Sequence, residues 1–340
     1  MLPVLFLLAA IVAGRDAEPR QYELGQHEPG QYVLHTSDPA VSRAGQLLNL
    51  SRPSQALELL QAAIERHPQD HNILLLAGLA AYRSDHVDTA VEYWRQSLDL
   101  APNSAVQALY DDAQRERAAD RSSSKLSGTH FALRYEEGAV PGDAARLVLK
   151  MLEENYSRIS AELGCSASEP IVAIVESREQ YRLTGGAAEW SGGYYDGRIH
   201  IVWPSGLVWT TGNEVSPAIE RALAHELVHA CLASMPSGSH PWPVWLQEGL
   251  AQRFSGDRLD PSVRAEVRKL VQMQEISRLE DLGPTWPNMS QRDAARAYNV
   301  SLAAVDAFWI QYPVDKIRNI LANPDCLPEV TAQLEAALGF

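Results

Sequence analysis

In "LAHELVHACL", residues 223–232, two histidines stand four residues apart, with a glutamate directly after the first. Positions four apart share one face of a helix, so His225 and His229 would present two imidazoles to a single tetrahedral ion, the arrangement zinc favours. Glu226 falls on the adjoining face, from which its carboxylate can reach a water at the metal without ligating the ion. Such a centre needs a third protein ligand and an open fourth position. Glu248, 19 residues after His229 in "PVWLQEGLAQRFSG", offers that third ligand.

The elements that must position these groups are legible around them. Ser216 reads as an N-cap and Pro217 as the first residue of a helix that runs unbroken through "AIERALAHELVHACL". The turn-rich "SMPSGSHPWP" ends it, and a second helix opens at Pro243 and closes before Gly256. A chain reversal of that length returns the second helix alongside the first and brings Glu248 to the histidines. Trp242 and Trp245 read as residues packing that loop against the second helix, and His240 as a loop histidine.

Upstream, "HFALRY" (130–135), "PIVAIVE" (170–176) and "RIHIVW" (198–203) read as strands, and "GDAARLVLKMLEENYSRISAELG" (142–164) as a helix with an apolar face. His200, alternating with Ile199 and Ile201, reads as facing a sheet surface. "AEWSGGYYDG" suggests a tight approach into a short edge strand.

In that order of strand, long helix, strand, "GGYYDGRI", HExxH helix and "WLQEGLAQ", residues 128–340 resemble the gluzincin metallopeptidases, and closely the peptidase MA-like domains found behind tetratricopeptide repeats. The resemblance implies an α+β zincin-like fold, zinc held by His225, His229 and Glu248, and Glu226 as general base. It implies a peptide or protein substrate pairing with an edge strand near Gly193 to Asp196. Related families supply an oxyanion-stabilising tyrosine from a downstream helix, which would be Tyr298, with Tyr194 and Tyr195 as competitors. The chain departs from the pattern at Gln252, where many gluzincins carry an aspartate that orients a ligand histidine. It also ends sooner than the family's terminal helix leads one to expect.

The N-terminal region has a different period. "RPSQALELLQAAIERHPQD" and "HVDTAVEYWRQSLDLAPNS" superpose at an offset of 34, aligning Ala56 with Ala90, Leu60 with Trp94 and Pro68 with Pro102. Small residues that let helices approach, bulky ones a turn later and a terminating proline resemble tetratricopeptide repeats, with Gly78 at a close-contact position. The reading is an all-α repeat domain over 39–118, capped by "AVQALYDDAQRERAAD" and implying a docked protein partner. A linker over 119–127 follows it. "MLPVLFLLAAIVAG" gives a signal peptide or N-terminal anchor over 1–17, then a linker over 18–38, and so an exported, periplasmic or secreted protein.

A net charge of −14 without a basic block excludes nucleic acid and anionic membrane surfaces as partners. The three cysteines cannot form a complete disulfide set. Cys231 reads as a small buried residue, while a Cys165 to Cys326 bridge is open but not selected. The N-x-S sequons at Asn49, Asn155, Asn288 and Asn299 matter only in a glycosylating host. Two functions compete: a zinc-dependent peptidase, and a protein-interaction scaffold whose zincin-like domain is structural or degenerate. The intact Glu226 favours the first, since metal binding alone does not need it.

Overall fold

The computed structural model of the chain describes residues 38–119, 122–183, 192–204, 215–236, 242–282 and 291–340, together with a minimal antiparallel pair, β1 (Glu23–Leu24) and β2 (Leu34–His35). The signal or anchor expected over 1–17 and His240 lie outside these residues. Among the described residues, no helix is long and apolar enough to cross a membrane. The fold is mixed α/β, mostly helical with a small mixed sheet, and resolves into two compact units: 1–153 with 167–215, and 154–166 with 216–340.

The first unit opens with five helices, α1 (Pro39–Asn49), α2 (Pro53–Arg66), α3 (His71–Arg83), α4 (Val87–Leu100) and α5 (Ser104–Ala119). Helices α2 and α4 begin at Pro53 and Val87, the same offset that superposes their sequences. A side-chain carbon on Gly78 would stand 2.4 Å from the Trp94 indole nitrogen, and that indole donates to the Leu75 carbonyl at 3.1 Å. The glycine therefore makes the slot that the tryptophan fills.

A five-stranded sheet follows in the order β3-β4-β5-β7-β6, from β3 (Ser123–Ser127), β4 (Phe131–Glu136), β5 (Ile171–Ser177), β6 (Gly193–Tyr195) and β7 (Ile199–Trp203). Strands β4, β5 and β7 run parallel, and β3 and β6 are antiparallel edges. The long helix α6 (Gly142–Leu163) lies between β4 and β5 in sequence, and the short α7 (Arg178–Leu183) follows β5.

Two expectations need correction. The stretch read as a linker contains β3, which ladders fully onto β4, because its serines and lysine suit a half-exposed edge strand as well as a loop. The helical repeats do not form a compact unit of their own. The Glu169 carboxylate, just before β5, accepts from the backbone N–H groups of Ser54 (2.8 Å) and Gln55 (3.0 Å). It caps α2, whose own N-cap residue Arg52 has no capping side chain. The Arg198 guanidinium lies 3.7 Å from the Tyr82 ring centre, and Arg83 fills the space over Gly197, whose φ of +105° only glycine adopts freely.

The second unit is helical: α8 (Pro217–Ala233), α9 (Val244–Phe254), α10 (Pro261–Gln272), α11 (Gln291–Gln311), α12 (Val314–Ala322) and α13 (Leu327–Leu338).

Candidate metal centre

Helix α8 starts as its sequence directs, with the Ser216 hydroxyl accepting from Ala218 N–H at 3.3 Å and Pro217 in the first turn. The reversal after it is held by Trp242, a buried indole that donates to the Leu232 carbonyl at 3.2 Å. Trp245 is buried in the first turn of α9, and residues 237–241 of the loop that the two tryptophans are expected to pack lie outside the described residues. At its far end α9 closes on Gly256 with φ +95°, and Asp257 then pairs with Arg221 of α8. The two helices are thus tied at both ends, and Glu248 comes back to the histidines.

The His225 and His229 ring nitrogens and a Glu248 carboxylate oxygen lie within 4.8 Å of one another. His225 Nε2 stands 3.3 Å from Glu248 Oε2, and His229 Nε2 stands 3.8 Å from Oε1. These approaches fall on different oxygens of Glu248, and the three donors are close enough together to hold one metal ion. Glu248 Oε2 is buried, and the His225 imidazole is its close neighbour at 3.3 Å. The three side chains keep 14–22% of their surface exposed, which leaves the donor set within reach of solvent.

Charge distribution fits the same picture. Burial works against a charge on His225, but the Glu248 hydrogen bond and the Glu226, Glu248 and Asp257 carboxylates outweigh it and push the imidazole up to about 9. Burial leaves His229 neutral, down to about 4, with the charge on His225 adding to the effect. Burial also opposes ionisation of Glu248, yet the two histidines and the Tyr298 hydroxyl hold it below the usual carboxylate range.

Glu226, in the next position along α8, is 6% exposed and close enough for its charge to act on both His225 and Tyr298. Tyr298, from α11, brings its hydroxyl to Glu248; burial and the Glu248 and Glu226 charges push its phenol well up. His225, His229, Glu248, Glu226 and Tyr298 therefore meet here. Tyr194 and Tyr195 are engaged elsewhere, in the first unit. The Tyr194 ring stacks on His200 at 4.2 Å, and the Tyr195 hydroxyl is 3.3 Å from Ser51 Oγ. Strand β6, which carries them, is an edge strand with β7 as its neighbour in the sheet.

Sequence reasoning missed several supports. Gln247, anchored by its amide to the Trp242 carbonyl at 2.7 Å, reaches the His229 imidazole. The signal was its place beside Glu248. Gln252 is buried with Oε1 lacking a donor among the described residues. Cys231, read as a small buried residue, is joined in a disulfide to Cys165, with Cα atoms 5.5 Å apart. The bridge ties the motif helix, two residues past His229, to the segment after α6, and it leaves Cys326 free. No spacing rule selects that pairing, because the two cysteines meet only when α6 and α8 pack.

Known protein families, curated proteins and solved structures were compared with this chain, and none matches it. The function must be argued from the site.

Proposed function

We propose that the second unit is a zinc-dependent peptidase of the gluzincin type, with a zincin-like arrangement of α8, α9 and α11. The observation that carries this is the convergence of two imidazole nitrogens and one carboxylate within 4.8 Å of one another, with a buried glutamate beside them. His225, His229 and Glu248 would hold the metal. When bound, zinc acidifies a water molecule and polarises a substrate carbonyl.

The chain's own groups supply the rest. Glu226, which is not needed to complete the ligand set, takes the proton from the attacking water and returns it to the leaving amine. Tyr298 stands in the same site with a protonated phenol, able to donate to the carbonyl oxygen as it gains charge. Gln247 steadies His229 from behind, so the ring keeps its bearing when the carboxylate shifts.

The helical repeats act first on their own chain: Tyr82, Arg83, Asp85 and Glu116 are spent on the sheet. A protein partner would therefore meet their outer surfaces. The Cys165–Cys231 bridge supports export to an oxidising compartment.

Metal analysis is the direct test. The purified protein is expected to hold about one zinc per chain, and Glu248→Ala is expected to release most of it, because two imidazoles leave the ion undercoordinated. A wild-type chain that takes up no zinc removes the peptidase reading.

A further inference from the structure

Gly249 directly follows the third ligand, at the place where α9 crosses α11. A side-chain carbon at this position would stand 2.4 Å from the Ser301 carbonyl oxygen, 2.8 Å from the Ser301 carbonyl carbon and 2.6 Å from Val305 Cγ2. Two of these three are helix backbone atoms, which cannot rotate aside as a side-chain tip can. The glycine lies inside a helix, where it costs ~1 kcal/mol relative to alanine, and no left-handed φ explains its presence. Closeness is what it provides.

That closeness falls one turn from the site. Ser301 lies three residues beyond Tyr298 on α11, on the same helix face, and Gly249 is the neighbour of Glu248. Further along the crossing, Asp306 of α11 accepts from Arg253 of α9 at 3.0 Å and from Arg264 of α10 at 3.0 Å. These bonds hold α11 down, and the missing side chain at 249 lets it settle.

We propose that Gly249 is a positioning residue for the metal centre: by letting α11 approach α9, it brings the Tyr298 hydroxyl onto Glu248 and fixes that carboxylate in its ligating orientation. Tyr298 thereby gains a role separate from any contact with substrate. An oxyanion donor changes turnover and leaves the resting metal affinity alone, whereas a ligand-orienting donor changes the affinity itself. The proposal rests on the metal-site reading above.

The test is a double-mutant cycle on zinc affinity, measured by competition with a chromophoric chelator at fixed pH, for wild type, Tyr298→Phe, Gly249→Ala and the double variant. Each single change is expected to weaken zinc binding roughly 10- to 100-fold. The double variant should be no weaker than the weaker single, because both act through one hydrogen bond. Losses that multiply would show that glycine and phenol act separately, and would overturn the proposal. Should Gly249→Ala fail to fold, Tyr298→Phe alone decides, since unchanged affinity there removes the hydrogen bond's role. Wild type that binds no zinc brings down both this inference and the metal reading. Wild type and all variants binding zinc equally would leave the metal reading standing and remove only this one.

Discussion

Among the described residues, the histidine and carboxylate cluster around His200 in the first unit and the one around His225 and His229 in the second differ in what surrounds them. In the first unit His200 sits between Glu176, 3.2 Å from Nδ1, and Asp196, 3.5 Å from Nε2. Around it Arg198 binds Glu116 at 2.7 and 3.0 Å, while Arg134 pairs with Glu116 and with Asp85. Asp85 also meets Lys125 at 2.7 Å. The four acids are matched by two arginines, a lysine and a protonated histidine, and His200, Arg198 and Glu116 are 0–2% exposed. Among the described residues the His225, His229 and Glu248 set has no arginine ion pair, and it is partly open. Arginine neutralises a carboxylate and fills its lone pairs, leaving nothing for a metal. The same residue types make a closed ionic knot in one place and an open donor set in the other.

The sharpest way to separate the two is Glu226→Gln, which keeps size and removes the proton acceptor. Zinc content should be unchanged and peptide hydrolysis should fall ~10⁴-fold or more, at or past the upper end for a general base. Peptide turnover near wild type in a zinc-loaded variant would assign the activity to something other than this site.

In the closed cluster the expected loss is in stability and not in chemistry. Glu116→Gln leaves Arg198 and Arg134 buried without their main counter-charge, which typically costs ~3–5 kcal/mol. A urea melt should show the loss at unchanged zinc stoichiometry. Loss of zinc together with stability would mean that the clusters are not independent.

The disulfide belongs to the open cluster's side of the comparison. Closing a loop of 66 residues is worth ~4 kcal/mol in the chain-entropy account, and usually somewhat less in practice. Cys231→Ala is expected to destabilise the second unit by ~2–4 kcal/mol and to leave Glu116 and its partners as they are. Hydrogen exchange that slackens equally in both units would contradict this.

The smallest effect expected is a pH dependence from the closed cluster. Burial opposes a charge on His200, but Asp196, with hydrogen bonds to Asp196 and Glu176, raises the imidazole from 6.5 to about 9. A raised folded pKa stabilises fully below the unfolded value and is lost as pH rises toward 9. Asp196 and Glu116 are shifted the other way: burial opposes their charge, yet the adjoining cations hold both well below the usual range. Their contribution is present above ~4.5 and lost on acidification. The first unit should therefore melt highest between pH ~4.5 and 6.5 and soften on the alkaline side. His200→Gln should flatten that alkaline limb, and an unchanged limb would assign it to other groups.

What the sequence determined by itself is what short-range rules govern. Ser216 with Pro217, and Gly256 beyond Phe254, set the ends of the two site helices. The four-residue spacing put His225 and His229 on one face, alternation marked β4, and short apolar runs marked β5 and β7. Each of these follows from neighbours within a turn or a strand of the residue concerned. What only the tertiary structure decided depends on groups far apart in the chain. His200 read as a surface residue because alternation tells which face it takes, not that Asp196 and Arg198 are buried on that face. The Cys165–Cys231 pair, the Glu169 cap on α2 across 115 positions and the seat of Tyr298 against Glu248 exist because helices and strands pack in one way. Gly249 joins the two levels: its residue type is local, but its meaning is set by a helix some fifty residues on, whose backbone leaves no room for a side chain.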